Sequence, residues 1–263
     1  MKLAISNIAW AAEQDAAVYK WMQQYGCSGL EIAPTRIFSE NPYQNQEQAA
    51  QWSRDMMQEY GFEIPSMQSI WFGRDEKLFG SCRERQILTD YTKQAIDFAA
   101  AVGCHNLVFG CPRNRNIPEG ADATEGISFF REVGKYAASH NTVIGMEANP
   151  PVYHTNYMND TPSALQLIRE VGSEGFLLNL DVGTMIQNQE PISELEGQVK
   201  YINHVHISEP GLVMIQERKL HEDLAALLMK EGYQGYVSVE MGRRENLGEV
   251  ERALAYVKGI FTE

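Results

Sequence analysis

The strongest constraint on the fold of this chain is a repeated junction, in which an amphipathic stretch ends in a glycine just before a short apolar run. The junctions are Tyr25-Gly26, Tyr60-Gly61, Val102-Gly103, Val171-Gly172 and Glu231-Gly232. Glycine adopts the left-handed conformation that ends a helix without the steric cost that a side chain adds. The pattern therefore predicts a chain of alternating helices and strands.

The apolar runs and the helical patterns give the number of these units. Strands are predicted at Leu3–Ile8, Gly29–Ala33, Ile64–Ser69, Asn106–Gly110, Val143–Ala148, Phe176–Asp181, His204–Ser208 and Tyr236–Met241. Helices are predicted at Asp15–Tyr25, Gln46–Tyr60, Arg85–Val102, Gly126–Ser139, Ser163–Val171, Ile192–Tyr201, Leu220–Glu231 and Gly248–Phe261. Strand and helix alternate through the whole chain, so each strand forms a unit with the helix that follows it.

Eight such units in 263 residues predict a (β/α)8 TIM barrel. No linker or charge block marks a boundary, so a single domain over residues 1–263 is expected. A doubly wound open sheet is the alternative. It is disfavoured because no strand is followed by GxGxxG or GxxxxGK[ST], the two common phosphate-binding turns.

Composition narrows the class of partner. The formal net charge of −13 disfavours nucleic acid and anionic membranes, because both are bound through basic surfaces. No apolar stretch reaches eighteen residues, and neither a secretory signal nor a membrane span is expected. The four cysteines form no CxxC pair, which favours a reducing cytoplasm over a disulfide framework.

Ionisable residues end four successive predicted strands in the second half of the chain. They are Glu147, Asp181, His206 and Glu240. In a barrel, the working residues lie at the carboxyl ends of the strands, so these four side chains should converge. Three carboxylates and an imidazole in one partly dehydrated place repel one another unless a cation lies between them. We therefore predict one divalent metal ion at this end of the barrel.

The predicted ligands are rich in oxygen and include one nitrogen. Such a set suits Mn²⁺, Mg²⁺, Co²⁺ or Zn²⁺ and does not distinguish among them. Strand alternation puts His204 on the same face as His206. His206 is the better ligand because it lies nearer the carboxyl end, and His204 is expected to support it or to lie in the core.

These four strand ends resemble the xylose isomerase-like barrel superfamily, specifically the sugar phosphate isomerase/epimerase group. The resemblance extends over essentially the whole chain. Further segments that carry it are Ile5-Ser6-Asn7-Ile8-Ala9-Trp10, Gly29-Leu30-Glu31-Ile32-Ala33-Pro34-Thr35 and Gly232-Tyr233-Gln234-Gly235-Tyr236-Val237-Ser238-Val239-Glu240-Met241.

The resemblance implies an isomerase or epimerase that is dependent on a divalent metal and acts on a sugar or sugar derivative. The residues that match Glu147 and Glu240 exchange a proton at the carbon next to the carbonyl in related ketose epimerases. The metal there holds the substrate oxygens and stabilises the enediolate charge, and a nearby carboxylate can serve as the base. A small-molecule sugar or sugar phosphate is the expected partner. A homo-oligomer is left open.

The sequence departs from the ketose 3-epimerases at substrate contacts. Those enzymes have Asp-x-x-His after the sixth strand, where this chain has Asp181-Val182-Gly183-Thr184. They also carry an arginine shortly after the histidine that matches His206, and this chain does not. The loop that follows Glu147 differs as well. The departures spare the predicted metal ligands and leave the sugar unidentified.

Six further residues are candidates for substrate binding near the predicted mouth: Trp10, Glu31, Gln68, Asn149, His154 and His221. An indole face can stack on a sugar, and the polar side chains can bond to hydroxyl groups. For each of them a core or surface role is the alternative. Two basic clusters, Arg113 with Arg115 and Arg243 with Arg244, are each either a phosphate site or a solvated loop.

Three other functions remain as alternatives. A metal-dependent lyase or dehydratase on a keto-sugar or keto-inositol begins with removal of the same proton. A catalytically silent sugar-binding barrel would keep the fold without the reaction. An abasic-site endonuclease shares the barrel but binds three metals through many histidines, and the six histidines of this acidic chain fit that pattern poorly.

Overall fold

The computed structural model describes residues 1–262. Its strands are β1 (Lys2–Ser6), β2 (Gly29–Glu31), β3 (Ser66–Met67), β4 (Asn106–Phe109), β5 (Val143–Met146), β6 (Phe176–Asp181), β7 (Ile202–Ile207) and β8 (Tyr236–Val239). Its α-helices are α1 (Asp15–Tyr25), α2 (Pro34–Ile37), α3 (Gln46–Tyr60), α4 (Cys82–Val102), α5 (Thr124–Ser139), α6 (Thr161–Val171), α7 (Val182–Asn188), α8 (Lys219–Lys230) and α9 (Gly248–Phe261). Short 3₁₀ turns complete the connections.

The strands form one parallel sheet that curves into a barrel. Their order is β2-β1-β8-β7-β6-β5-β4-β3, and β2 meets β3 through isolated bridges, Gly29 with Glu63 and Ile32 with Met67. The amide of Leu30 donates to the carbonyl of Glu63 at 2.9 Å, and that of Gln68 donates to Ile32 at 2.9 Å. These bonds bring together the two ends of the sheet. The predicted TIM barrel is confirmed.

The glycine junctions end helices as predicted. Gly26, Gly61, Gly103, Gly172 and Gly232 all have positive φ, between 60° and 78°. The backbone amide of Gly26, for example, bonds back to carbonyls in the last turn of α1. These glycines reverse the chain at the end of the barrel where β2, β3, β4, β6 and β8 begin, and the other strands of the parallel sheet begin at the same end. The strands consequently all finish at the opposite end.

One predicted helix is wrong. The stretch Ile192–Tyr201 forms two 3₁₀ turns, at Ile192–Leu195 and Val199–Tyr201, separated by Gly197 with φ of 71°. The helix of this unit is α7, which begins immediately after β6 because the Asp181 carboxylate accepts a bond from the Thr184 amide at 2.9 Å. The apolar periodicity of Ile192–Tyr201 reflects burial of separate turns against the barrel.

Strand β3 is shorter than predicted. The expected run Ile64–Ser69 keeps only Ser66–Met67 as strand. Ser69 has φ of 58°, which turns the chain out of the extended conformation.

The interior of the barrel contains a layer of polar side chains. Asn106 on β4 donates to Ser66 Oγ on β3 at 3.0 Å and to Asn179 Oδ1 on β6 at 3.1 Å. Because β4 and β6 are not neighbours in the sheet, this contact crosses the barrel interior. A Cβ on Gly145 would lie 2.4 Å from Asn106 Oδ1, so the intervening strand needs glycine there.

The remaining core is apolar and lies between the strands and the surrounding helices. All four cysteines are free. None of the helices in residues 1–262 is both long enough and apolar enough to cross a bilayer.

Candidate metal centre and active site

The carboxyl ends of β5, β7 and β8 bring three side chains together. Glu147 directly follows β5, Glu240 directly follows β8, and His206 is the last but one residue of β7. The amide of Glu147 bonds to the carbonyl of Phe109 at 3.1 Å, and that of Glu240 bonds to Ile207 at 2.9 Å. Strand pairing thus continues to the first residue beyond each strand, and it fixes the backbone from which these carboxylates project.

One ligand atom from each of Glu147, His206 and Glu240 lies within 4.8 Å of the others. His206 Nδ1 is 3.2 Å from Glu147 Oε2 and 3.2 Å from Glu240 Oε2. His206 is completely buried, and the two glutamate side chains are only slightly exposed. The three groups therefore form a compact cluster at the mouth of the barrel, with a nitrogen facing two carboxylates.

The other nitrogen of His206 faces a third carboxylate, that of Glu31, deeper in the barrel. His206 Nε2 lies 2.8 Å from Glu31 Oε2. The Gln68 amide donates to Glu31 Oε1 at 3.1 Å and to Ser6 Oγ at 2.7 Å. His204 Nε2 is 3.1 Å from Glu31 Oε2 but lacks the alignment of a hydrogen bond. Glu31, His204 and His206 form a second, fully buried cluster beneath the first.

Asp181 ends β6 beside these groups but is not one of the three that converge. One of its oxygens accepts a short bond from Ser208, and the other accepts from the Thr184 amide at 2.9 Å and hydroxyl at 2.8 Å. Burial raises the pKa of Asp181, and the nearby charge of Glu147 raises it further. The carboxylate thus caps α7 while it lies within the electrostatic reach of the cluster.

The cluster attracts positive charge. Burial would lower the pKa of His206, yet Glu240 and Glu31 outweigh burial and hold it well above its usual value. Burial raises the pKa of Glu240 to about 7, with Glu147 adding to the rise and His206 opposing it. A buried imidazole that is easier to protonate than in water indicates a strongly negative local potential. Such a place favours a cation.

Comparison with known proteins identifies the family of this barrel. The family model described as xylose isomerase-like TIM barrel matches residues 19–260. The chain belongs to this family. No curated protein matches it significantly.

Solved structures of this barrel type superpose on almost the whole chain. D-psicose 3-epimerase from Clostridium cellulolyticum H10, solved with D-tagatose, has a TM-score of 0.79 at 15% identity, covering 99% of each chain. An Escherichia coli 3-keto-D-glucoside 4-epimerase has a TM-score of 0.76 at 18% identity, covering 98% of this chain and 99% of that one. A family 2 AP endonuclease from Brucella melitensis has a TM-score of 0.71 at 20% identity, covering 97% and 98%. At these identities the likeness shows a shared fold.

Among the predicted substrate contacts, Glu31, Gln68 and Asn149 lie next to the clusters. Asn149 Nδ2 donates to Glu147 Oε1 at 3.1 Å. These polar groups are nevertheless nearly or completely buried, and they bond to protein atoms. Their bonds fix the orientation of the ionisable side chains.

Within residues 1–262, the other three predicted contacts have no hydrogen bond to the residues of the two clusters. Trp10 is buried in the core, where its Nε1 donates to Asp15 at 2.7 Å and the Arg36 guanidinium lies 5.5 Å from the ring centroid. His154 is exposed in the loop after β5. His221 is buried within α8, with Nδ1 3.0 Å from the Tyr256 hydroxyl on α9.

The arginines of the two basic clusters have different surroundings. Arg113 is exposed and pairs with Asp75, and Arg244 Nη1 lies 3.7 Å from Glu249. Arg115 is completely buried, and its two terminal nitrogens donate to neighbouring loop atoms. Arg243 is exposed.

The sequence analysis did not identify Asn179, and it did not predict that Arg115 is buried and bonded to protein atoms. Asn179 Nδ2 donates to Glu147 Oε2 at 3.0 Å and lies 3.3 Å from His206 Nδ1. Asn179 lies two residues before Asp181 and therefore on the same face of β6. The alternation of side chains along the strand could have identified it. Burial of Arg115 had no such signal, because a basic loop with proline and asparagine looks solvated.

Proposed function

We propose that this chain is an isomerase or epimerase that is dependent on a divalent metal and acts on a sugar or sugar derivative, moving a proton at a carbon next to a carbonyl. The observation that carries the proposal is the convergence of Glu147, His206 and Glu240 at the carboxyl end of a family barrel. Two carboxylates of this kind can act as proton acceptor and donor. The named epimerases with the same fold add support at the level of the barrel.

The residues fit a divalent cation. His206 Nε2 bonds to Glu31, which leaves Nδ1 facing Glu147 and Glu240. An imidazole whose far nitrogen bonds to a carboxylate is the usual arrangement of a histidine ligand. Glu147, His206 and Glu240 would hold the ion. Asp181 is proposed as the fourth ligand, because its Oδ1 accepts one bond from Ser208 and keeps a further lone pair.

The reaction requires a carboxylate that gains and returns a proton near neutral pH. Burial raises the pKa of Glu240 to about 7 when no cation is bound, and a bound cation would lower this pKa and keep the carboxylate ionised as a base. Glu147 is held by Asn149 and Asn179 and can act as the partner group. A divalent cation bound there would polarise the substrate carbonyl and offset the negative charge that develops on its oxygen. Two separate carboxylates can remove a proton from one face of a carbon and return one to the other face, which inverts that centre.

The two arginines of the loop after β4, Arg113 and Arg115, favour an unphosphorylated substrate. A phosphate needs free, directed donors, which arginine supplies best. Arg115 directs both terminal nitrogens at protein atoms, and Arg113 pairs with Asp75. We therefore propose a free keto-sugar or a simple derivative. The free thiols of all four cysteines are consistent with the proposed cytoplasmic location.

Solvent-deuterium exchange tests the proposal. The enzyme is freed of metal with EDTA, then supplied with Mn²⁺, Mg²⁺, Co²⁺ or Zn²⁺ in deuterated buffer and given free and phosphorylated ketoses. We expect deuterium next to the carbonyl of an unphosphorylated sugar, only with metal, and formation of an epimer or isomer. A conjugated enone absorbance would instead identify a lyase. Sugar binding without exchange under every metal would indicate a silent barrel and refute the proposal.

A further inference from the structure

Arg115 is a buried cation with no carboxylate bonded to it among residues 1–262. It lies in the loop after β4 and is fully buried. Burial lowers the pKa of its guanidinium to about 10. A buried guanidinium costs free energy that an apolar side chain of the same size would not. Its position therefore calls for a reason beyond filling space.

The guanidinium bonds to both ends of a short segment that contains Glu147. Nη1 donates to the Glu147 carbonyl at 2.9 Å, and Nη2 donates to Asn149 Oδ1 at 2.9 Å. Nη2 also lies 3.3 Å from the carbonyl of Met158, where the same loop returns to the barrel. The planar fork of arginine can hold two acceptors in one fixed geometry. Arg115 thus fixes the backbone of Glu147 and the side chain of Asn149.

The bond to Arg115 also decides which way the Asn149 amide faces. A guanidinium has donors only, so the amide oxygen must face it and the amide nitrogen must point away. That nitrogen donates to Glu147 Oε1 at 3.1 Å. Asn179 donates to the other oxygen of Glu147 at 3.0 Å. Each oxygen of the Glu147 carboxylate therefore has its own amide donor, and one of these donors is oriented by Arg115.

A reciprocal pair of asparagines docks the loop of Arg115 onto the loop that follows Glu147. The backbone amide of Asn156 donates to Asn116 Oδ1 at 3.0 Å, and the backbone amide of Ile117 donates to Asn156 Oδ1 at 2.8 Å. Asn156 Nδ2 donates to the Ile117 carbonyl at 2.9 Å. Asn116 is the neighbour of Arg115 in sequence, so these bonds also keep Arg115 close to Asn149. These three hydrogen bonds therefore join the two loops.

We propose that Arg115 is a positioning residue, which holds Glu147 in its metal-binding and proton-transfer geometry through the Glu147 carbonyl and the Asn149 amide. This inference depends on the proposed function. A residue that only stabilises the fold would lower stability and leave the metal affinity of the folded protein unchanged. A positioning residue would change metal affinity and kcat with little change in KM, since the defect lies in the geometry of Glu147.

The test compares Arg115→Met, Arg115→Lys and Asn149→Asp with Arg113→Met as the matched control. Asn149→Asp keeps the acceptor for Arg115 but replaces the donor to Glu147 Oε1 with a carboxylate that repels it, so it breaks the link from Arg115 to Glu147. Mn²⁺ affinity is measured by titration calorimetry, kcat and KM by turnover, and folding by circular dichroism. We expect Mn²⁺ affinity and kcat to fall by about 10- to 100-fold in Arg115→Met and Asn149→Asp, as for other residues that orient metal ligands.

Arg115→Lys should lower Mn²⁺ affinity and kcat less than Arg115→Met does. The lysine ammonium keeps the positive charge but lacks the planar, two-pronged geometry of the guanidinium. Arg113→Met should match the wild type. A folded Arg115→Met with wild-type Mn²⁺ affinity, or a folded Asn149→Asp with wild-type kcat, would overturn the inference and leave the proposed function intact. If Arg115→Met does not fold, Asn149→Asp decides. A wild-type protein that binds no Mn²⁺ and exchanges no proton would overturn both.

Discussion

His206 Nε2 lies 2.8 Å from Glu31 Oε2, and this contact joins the barrel interior to its mouth. Burial would raise the pKa of Glu31, but the two histidines outweigh it and hold the pKa well below its usual value. Glu31 is therefore a stable carboxylate that accepts from Nε2. Because the imidazole is fixed in this way, its Nδ1 faces Glu147 and Glu240.

Loss of the Glu31 charge should weaken metal binding. In Glu31→Gln, the amide keeps the shape but holds the imidazole less strongly, and a ligand that is less well oriented binds less tightly. We expect Mn²⁺ affinity to fall by about 10- to 100-fold in calorimetric titrations. Glu63→Gln, at the opposite end of the barrel beside Lys2, is the control and should bind Mn²⁺ normally. Equal affinities in the two variants would contradict the role of Glu31.

The two mouth glutamates should both be essential for turnover. Glu147→Gln and Glu240→Gln keep the side-chain shape but cannot accept a proton. We expect kcat to fall by about 100- to 10,000-fold, the usual contribution of a general base. The measurement is product formation together with deuterium exchange at saturating metal. Glu245→Gln changes an exposed glutamate in the loop after β8 and should retain full activity. Near-normal turnover in either mouth variant would refute its role as a base.

Gly110→Ala should disturb activity more than stability. A Cβ there would lie 2.8 Å from Glu147 Oε1, which is the end of a side chain that can move away. The displaced carboxylate would lose its alignment with Asn149 and His206, so we expect a drop in kcat of about 10-fold or more. Gly259→Ala is the control: with open space around it in α9, it should stabilise the protein by about 0.5–1 kcal/mol. Thermal melts and turnover measured on both variants separate the two effects.

His221 should make stability fall in mild acid. Burial lowers its pKa from 6.5 to about 4, partly offset by Glu209. Between these values the unfolded chain binds a proton that the folded chain does not, so stability is complete above about pH 6.5 and is lost as the pH falls towards 4. The loss attributable to this group is about 3 kcal/mol. His221→Phe should flatten this part of the pH profile in urea unfolding.

The exposed histidine provides the control for that experiment. His154→Gln changes a side chain in the loop after β5 that is open to solvent. Its unfolding free energy should follow the wild-type pH profile. A His221→Phe profile as steep as the wild type would assign the acid sensitivity to other groups.

Much of the fold was predictable because it depends on local rules. Glycine at the end of an amphipathic stretch favours the end of the helix there, and α1 and α3 end at Gly26 and Gly61 with the predicted limits. The periodicity of its apolar residues was enough to predict the limits of α9. The failure at Ile192–Tyr201 has a local cause that the apolar pattern concealed, since Gly197 interrupts the stretch and Asp181 starts a helix immediately after β6. The spacing of apolar residues shows which side of a segment is buried. Two separate turns can have the same spacing as one continuous helix.

The sequence by itself determined that ionisable residues end successive strands, and parallel strands in a barrel must bring such residues to one end. Only the tertiary structure decided how they are used. It brings Glu147, His206 and Glu240 together in one cluster. The Asp181 carboxylate instead accepts hydrogen bonds from Ser208 and Thr184. His221 contacts the Tyr256 hydroxyl. The tertiary structure also buries Arg115 against Asn149. Strand position is set by the backbone pattern, whereas hydrogen bonds between distant loops depend on distances that exist only after the barrel has closed.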